Sequence, residues 1–160
     1  MMLLLMTPFV LQAFAMFFDE FYFHRKRGLP KWERIGHPLD TLSVVISYAF
    51  LYFQEPTQLN IKIYIGLCAF SCLLITKDEF IHTEVCEARE NWLHAVLFVL
   101  HPISFLSAGI IWKDGLNPTL IAAQPIFIFM FMIYQILYWS FIWNKNYTVN
   151  VPQPLQPSQK

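Results

Sequence analysis

Two charged segments interrupt an otherwise apolar chain and decide its fold. Residues 19–37 read DEFYFHRKRGLPKWERIGH, and residues 77–94 read KDEFIHTEVCEARENWLH. The first segment holds eight and the second seven of the 22 charged side chains, and four of the five histidines lie within them. The polar chemistry of this chain is therefore concentrated at two places.

The remainder of the chain has the composition of a membrane protein. Hydrophobic residues make up 56% of it and charged residues 14%, against about 25% charged residues in an average soluble domain. A net charge of zero offers no attraction to nucleic acid, which we exclude as a partner. A helix needs about 20 apolar residues to cross a bilayer. Five stretches approach this length, at 3–18, 42–53, 63–76, 92–112 and 125–143. They predict an all-α integral membrane protein with about five transmembrane helices.

The basic residues predict how these helices are oriented in the lipid bilayer. Nine of the eleven Lys and Arg residues fall on one side of the predicted membrane, and such residues favour the cytoplasm. We expect the amino terminus outside, and the carboxyl terminus and both charged segments in the cytoplasm, at a plasma or inner membrane. Residues 1–143 are predicted to form one transmembrane domain, and the polar, proline-containing residues 144–160 a flexible tail.

The two charged segments repeat one pattern. Each contains Asp-Glu-Phe, then a histidine, then a Glu-x-x-x-His pair, and the copies are offset by 59, 58 and 57 residues at these three points. The histidine and the pair are His24 and Glu33/His37 in the first copy, and His82 and Glu90/His94 in the second. The repeat predicts two parallel helical hairpins, at about 3–54 and 61–112, related by a pseudo-two-fold axis along the membrane normal. A fifth helix follows at about 120–143.

The repeat also pairs carboxylates with imidazoles at helical spacing. Glutamates and histidines three or four residues apart share a helix face. Four-helix bundles hold two iron or manganese ions with such residues, including Glu-x-x-His, the spacing of Glu79 and His82. We expect six metal ligands: Glu20, His24, His37, Glu79, His82 and His94.

Three more residues are candidates for catalytic roles. Glu33 and Glu90 are expected either to bind metal or to accept hydrogen bonds that orient the imidazoles. His101 follows His94 by seven residues, on the same helix face and about 10 Å deeper in the membrane. It is expected to line a substrate channel or bind a further ion, or else to bond with its ring to a carbonyl, Ser104 or Tyr134.

Other charged residues of the segments receive structural interpretations. Asp19 and Asp78 are ranked below the adjoining glutamates, because neighbouring residues point about 100° apart around an α-helix. Arg27 and the basic residues beside it are explained by membrane topology and by anionic lipid.

The donor types indicate which metal to expect. Carboxylate and imidazole together suit Fe, Mn or Zn, and the sequence has no paired thiolate motif of a structural zinc or iron–sulfur site. Six to eight candidate ligands exceed the needs of one ion. We therefore expect two metal ions, with iron first and zinc or manganese as the alternatives.

At these residues the sequence resembles the membrane non-haem di-iron oxidoreductases, the class of fatty acid hydroxylases, desaturases and alternative oxidases. The similarity lies in helix ends that present Glu and His ligands at the cytoplasmic surface in two hairpins. It covers the ligand chemistry and not the whole chain, since His-x-x-His-His boxes are absent and only Glu79/His82 has the Glu-x-x-His spacing. The resemblance implies oxidation of a lipid-like or hydrophobic substrate by dioxygen at a di-iron centre. Electrons would come from a separate donor, because the sequence has no flavin or nicotinamide fingerprint.

Two other functions fit the same residues. The first is a zinc-dependent membrane hydrolase, in which metal-bound water is the nucleophile and Glu33 or Glu90 is the base. The second is a metal-ion transporter or sensor that loads ions from the cytoplasm. Transport needs a polar path, and apart from His101 the predicted spans offer little beyond a few serines.

Overall fold

The computed structural model describes residues 1–78 and 86–143, and within them five helices follow one another along the chain. They are α1 (Met2–Arg27), α2 (Lys31–Phe53), α3 (Gln58–Ile75), α4 (Ala88–Lys113) and α5 (Pro118–Ile142). A short 3-10 turn, Thr76–Asp78, follows α3. The described residues contain no strand, which agrees with the predicted all-α class.

Four of these helices, α1, α3, α4 and α5, are long and apolar enough to cross a membrane. The membrane class predicted from composition agrees with this finding. The remaining helix, α2, is long enough but more polar, because its first turns belong to the charged segment. Its apolar half is the stretch at 42–53 that the sequence analysis counted as a span.

Helices α3 and α5 begin several residues before their apolar stretches, because polar residues cap their amino-terminal ends. Thr57 caps α3 by accepting a hydrogen bond from the Asn60 backbone N–H at 3.2 Å, and Asn117 caps α5 in the same way for Leu120 at 3.0 Å. Pro118 then occupies the first turn of α5, where a missing N–H does no harm.

Helix packing brings the described residues of both charged segments to one end of the bundle, hereafter the charged end. Helix α1 packs mainly on α4, whereas α2 packs on α5 and α3. The carboxyl-terminal ends of α1, α3 and α5 and the amino-terminal ends of α2 and α4 meet at the charged end. Parallel hairpin repeats with a pseudo-two-fold axis stay a prediction, as does the flexible tail, which lies outside the described residues.

An apolar core closes the opposite half of the bundle. It contains Tyr48, Tyr64, Phe105 and Ile111, all nearly fully buried. The buried Tyr64 hydroxyl donates to the Phe105 carbonyl oxygen at 2.8 Å, so its polar atom is satisfied inside the core. This core fixes the helices at one end and leaves the charged end to be held by polar contacts.

Two π-helical segments lie at the charged end. One, Asp19–His24, interrupts α1, and the other, Tyr138–Ile142, ends α5. Hydrogen bonds in a π-helix run from residue i to i+5, which widens the turn, and such segments are rare and frequent at functional sites. Both segments contribute side chains to the site described below.

The orientation of these helices can be tested with reporters at both termini. If all five helices cross, the termini lie on opposite sides, and the basic residues predict the carboxyl terminus in the cytoplasm. We expect a carboxyl-terminal green fluorescent protein fusion to fluoresce and a periplasmic phosphatase at the same position to be inactive, with the reverse at the amino terminus. Both termini on one side would show that α2 does not cross.

The connection between α1 and α2 depends on Gly28. Its φ of 78° lies in a region that side chains rarely adopt, and an added Cβ would lie 2.6 Å from the Trp143 ring. Holding alanine in such a conformation costs about 1–3 kcal/mol. We expect Gly28→Ala to lower the thermal unfolding temperature in detergent. Gly66→Ala is the control, since its Cβ would meet nothing within 4 Å and a helix favours alanine. Equal stability of the two variants would contradict this interpretation.

Candidate metal centre

Acidic and imidazole side chains are buried together at the charged end. Charged residues are seldom fully buried unless they are paired or bind a metal. Six such residues here are at most 6% exposed: Glu33 0%, His24 1%, Glu90 1%, Glu20 2%, His94 4% and Asp19 6%. Burial of this degree demands a compensating network of contacts.

The π-helical segment of α1 supplies three members of this network. His24 Nδ1 lies 3.3 Å from Glu20 Oε2, and His24 Nε2 lies 3.2 Å from Asp19 Oδ2. Asp19 and His24 are five residues apart, the spacing that a π-helix aligns. The sequence analysis ranked Asp19 low because it assumed α-helical spacing. In the structure, Asp19 and Glu20 both reach the same histidine.

The first turns of α4 complete a four-residue donor set. His94 Nε2 lies 3.2 Å from Asp19 Oδ1, and Glu90 Oε1 lies 3.9 Å from His24 Nε2. Asp19, His24, Glu90 and His94 each offer one donor atom, and these four atoms lie within 4.8 Å of one another. We call these residues the first donor set.

Helix α2 adds a second donor set that consists of His24, Glu33 and His37, again with donor atoms within 4.8 Å. The imidazole rings of His24 and His37 have centroids 4.8 Å apart, and His37 Nε2 lies 3.9 Å from Glu33 Oε2. His24 therefore stands at the junction of the two donor sets.

Both donor sets fit a metal ion in size and chemistry. Zinc bonds to nitrogen and oxygen are about 2.0–2.2 Å long and tetrahedral, so the donor atoms around one ion lie roughly 3.3–3.6 Å apart. A set within 4.8 Å reaches that spacing when its most distant atoms move together by about 1 Å. His24 Nε2 is buried without a hydrogen bond, as expected for a nitrogen that is available to a metal.

One thiol lies beside the donor sets. Cys86 lies just before α4, and burial raises its pKa, with a hydrogen bond to Glu90 adding to the rise. The exposed Glu87 beside it has a lowered pKa because Lys26 hydrogen-bonds to it at 2.8 Å, and this pair lies outside the donor sets.

Arg27 joins the two glutamates of the donor sets. Its Nη2 atom donates to Glu33 Oε2 at 2.8 Å and to Glu90 Oε1 at 2.9 Å, and only 9% of the side chain is exposed. The sequence analysis attributed Arg27 to topology and anionic lipid. Its buried position shows a different contribution, the neutralisation of two carboxylates from different helices.

Helix α5 holds Glu20 through two side chains that the sequence analysis missed. Trp139 donates its indole N–H to Glu20 Oε1, and Gln135 donates to Glu20 Oε2 at 3.4 Å. Thr41 in turn donates to the side-chain amide oxygen Oε1 of Gln135 at 2.9 Å. The signal in the sequence is a glutamine within an apolar span, four residues before a tryptophan, because polar groups in membrane helices usually face the bundle interior.

The remaining site residues lie apart or outside the described part. Glu79 and His82, two of the six predicted ligands, fall outside the described residues, as does the side chain of Asp78. His101 belongs to neither donor set. Its Nε2 lies 3.0 Å from Ser71 Oγ and its Nδ1 lies 3.2 Å from Gln12 Nε2, so it bonds to α3 and α1.

A partly open cavity of about 500 Å³ runs from the donor sets into the membrane-spanning part of the bundle. Five residues of the polar cluster line it at the charged end: Asp19, Glu20, His24, His37 and His94. Farther along it, the walls are mainly Phe, Leu, Ile and Val side chains of α1, α2, α4 and α5. The donor atoms thus face a mainly apolar chamber of a size typical for small-molecule sites.

Comparisons with protein-family models, with curated proteins and with solved structures found no match to this chain.

The electrostatic contribution of Arg27 can be measured by removing its charge. Arg27→Met leaves Glu33 and Glu90 buried without their cation, and breaking a buried ion pair in this way typically costs about 3–5 kcal/mol. We expect a clear fall in the thermal unfolding temperature of metal-free protein. Lys26→Met is the matched control, because Lys26 adjoins Arg27 in the sequence but is 57% exposed and pairs with an exposed glutamate. Similar losses in the two variants would contradict the assigned role.

Proposed function

We propose that this protein is a membrane metalloenzyme whose dinuclear centre, with iron as the metal, uses dioxygen to oxidise a lipid-like hydrophobic substrate. The observation that supports it is the position of two buried carboxylate and imidazole donor sets at the end of one largely apolar cavity. Metal ligands and a hydrophobic substrate would meet there without solvent between them.

The donor sets suggest how two ions would be shared. His24 belongs to both sets, but a neutral imidazole has one lone pair to offer and so serves one ion. With His24 on the first ion, beside Asp19, Glu90 and His94, the second ion keeps Glu33 and His37 and needs further donors. Glu79 and His82 from the second charged segment are our candidates, and Glu20 is a third.

The protein would contribute positioning and exclusion of water. A bound di-iron centre supplies dioxygen activation. One oxygen atom would enter a substrate C–H bond and the other would leave as water, with two electrons from a separate protein donor and two protons. Trp139, Gln135 and Arg27 would orient the carboxylates around the metal, as hydrogen-bonding partners of ligands usually do. The apolar cavity walls would hold an alkyl or isoprenoid chain beside them.

A zinc hydrolase is the second candidate, because the first donor set has the four donors that zinc prefers. It would need neither oxygen nor reductant. A transport function receives less support from the serines inside the bundle. Ser47 donates to the Ser43 carbonyl of its own helix, and Ser43 Oγ, Ser71 Oγ and His101 Nε2 form one short chain of polar contacts at 2.7 and 3.0 Å.

The orientation follows the same proposal. The metal centre would lie at the cytoplasmic face of a plasma or inner membrane, where a soluble electron donor and intracellular iron can reach it. The exposed basic side chains beside it, Lys26 and Arg25 among them, would face the anionic headgroups and an acidic partner.

Metal analysis of purified protein tests this function first. After anaerobic loading with ferrous ion we expect about two iron atoms per chain. Glu90→Gln should lose at least one of them, because Glu90 belongs to the first donor set. Glu87→Gln is the matched control, since its side chain lies three residues earlier and is 59% exposed. Less than one iron per chain together with stoichiometric zinc would overturn the iron centre and favour the hydrolase.

A further inference from the structure

The cavity extends well beyond the metal centre. Its length can be followed on α5, where Gln135 lies beside Glu20 and Gln124 lines the cavity farther along. Eleven residues separate these two glutamines, which corresponds to about 16 Å along a helix axis. Between these levels the walls are Phe9, Met16, Val44, Leu97, Phe98 and Ile128. The cavity is therefore a long, mainly apolar tunnel that has polar groups at both ends and the bonded pair Gln12 and His101 in its wall.

Gln124 is the polar group at the far end. Gln124 is only 9% exposed, and its Oε1 atom has no hydrogen-bond partner among the described residues. An amide oxygen buried in an apolar setting without a partner is strongly unfavourable, and membrane interiors offer no water to satisfy it. His101 and Gln12, which also line the cavity, already bond to each other.

The chemistry of this position defines what can satisfy it. A hydroxyl group both donates and accepts, so it pairs with the Gln124 amide in either orientation of that amide. A charged headgroup is disfavoured because Gln124 lies about 16 Å inside the bundle from the charged end, where ionised groups are costly. A volume of about 500 Å³ suits one chain better than a phospholipid with two chains and a phosphate headgroup.

We propose that Gln124 anchors the hydroxyl headgroup of an uncharged single-chain amphiphile, whose alkyl chain extends along the cavity to the Glu and His donors. This assignment names the substrate class of the metal centre, and it rests on the proposed function for the chemistry at that end. The position of attack follows from it, because the tunnel sets a distance of about 16 Å between the anchored hydroxyl and the oxidised carbon.

Photo-crosslinking with a derivative of 1-dodecanol that carries a diazirine at its methyl end tests the assignment. We expect adducts on purified full-length protein at cavity residues near the metal centre, such as Met16 and Leu97. Gln124→Leu should lower the adduct yield roughly three- to tenfold, the effect of losing one hydrogen bond. Gln58→Leu is the matched control, since it is the same replacement at an exposed position at the start of α3.

Competition in the wild-type protein gives a measurement that does not depend on a variant. Unlabelled 1-dodecanol should suppress the adducts, and dodecane, which has the chain without the hydroxyl, should do so much less. Equal competition by both compounds, an unchanged yield in Gln124→Leu, or adducts confined to lipid-facing residues such as Phe129 would each overturn the assignment.

Metal content separates this proposal from the proposed function. If labelling depends on Gln124 but the protein binds no iron, the amphiphile site stands and the oxidoreductase fails. If the protein binds iron but the adduct yield does not depend on Gln124, the metal centre stands and the hydroxyl anchor fails.

Discussion

Compensation of buried negative charge is the constraint on which the charged end depends. Four carboxylates, those of Asp19, Glu20, Glu33 and Glu90, are at most 6% exposed. Arg27 supplies one buried positive charge and bonds to two of them. The remaining charge has to be balanced by imidazolium groups or by cations, because an isolated carboxylate in an apolar environment is highly unfavourable. A pair of divalent ions would supply that balance at the point where the imidazoles converge.

The same constraint explains why α1, α2, α4 and α5 meet at the charged end. Arg27 ties α1 to α2 and α4, and Trp139 ties α5 to α1 through Glu20. Between membrane helices the lipid provides no hydrophobic driving force, so packing and polar bonds decide which faces associate. The apolar core around Tyr48 and Phe105 secures the other half. The polar network therefore contributes to the fold as well as to the site.

The sequence predicted the parts of this arrangement that depend on local pattern. Apolar stretches predicted the helices, and the paired Glu and His spacings predicted buried donors such as His24 and His94. The α-helical period could not predict that Asp19 contacts His24. That contact depends on a π-helical turn, which has more residues per turn than an α-helix. Arg27, Gln135 and Trp139 were missed for another reason. Their partners are distant in sequence, so only the packing of whole helices shows what they contact.

The apolar walls of the cavity also limit which molecules can occupy it. The cavity of about 500 Å³ is partly open to the surroundings, because its walls include Phe17 and Phe127, which are 54% and 71% exposed. Its walls are mainly apolar, and apolar cavities exclude water but accept hydrophobic molecules. In a bilayer the most abundant molecules of that kind are alkyl chains. An alkyl chain in this space would cover apolar walls beside the buried carboxylates and imidazoles, so its binding would add to the stability of the folded state.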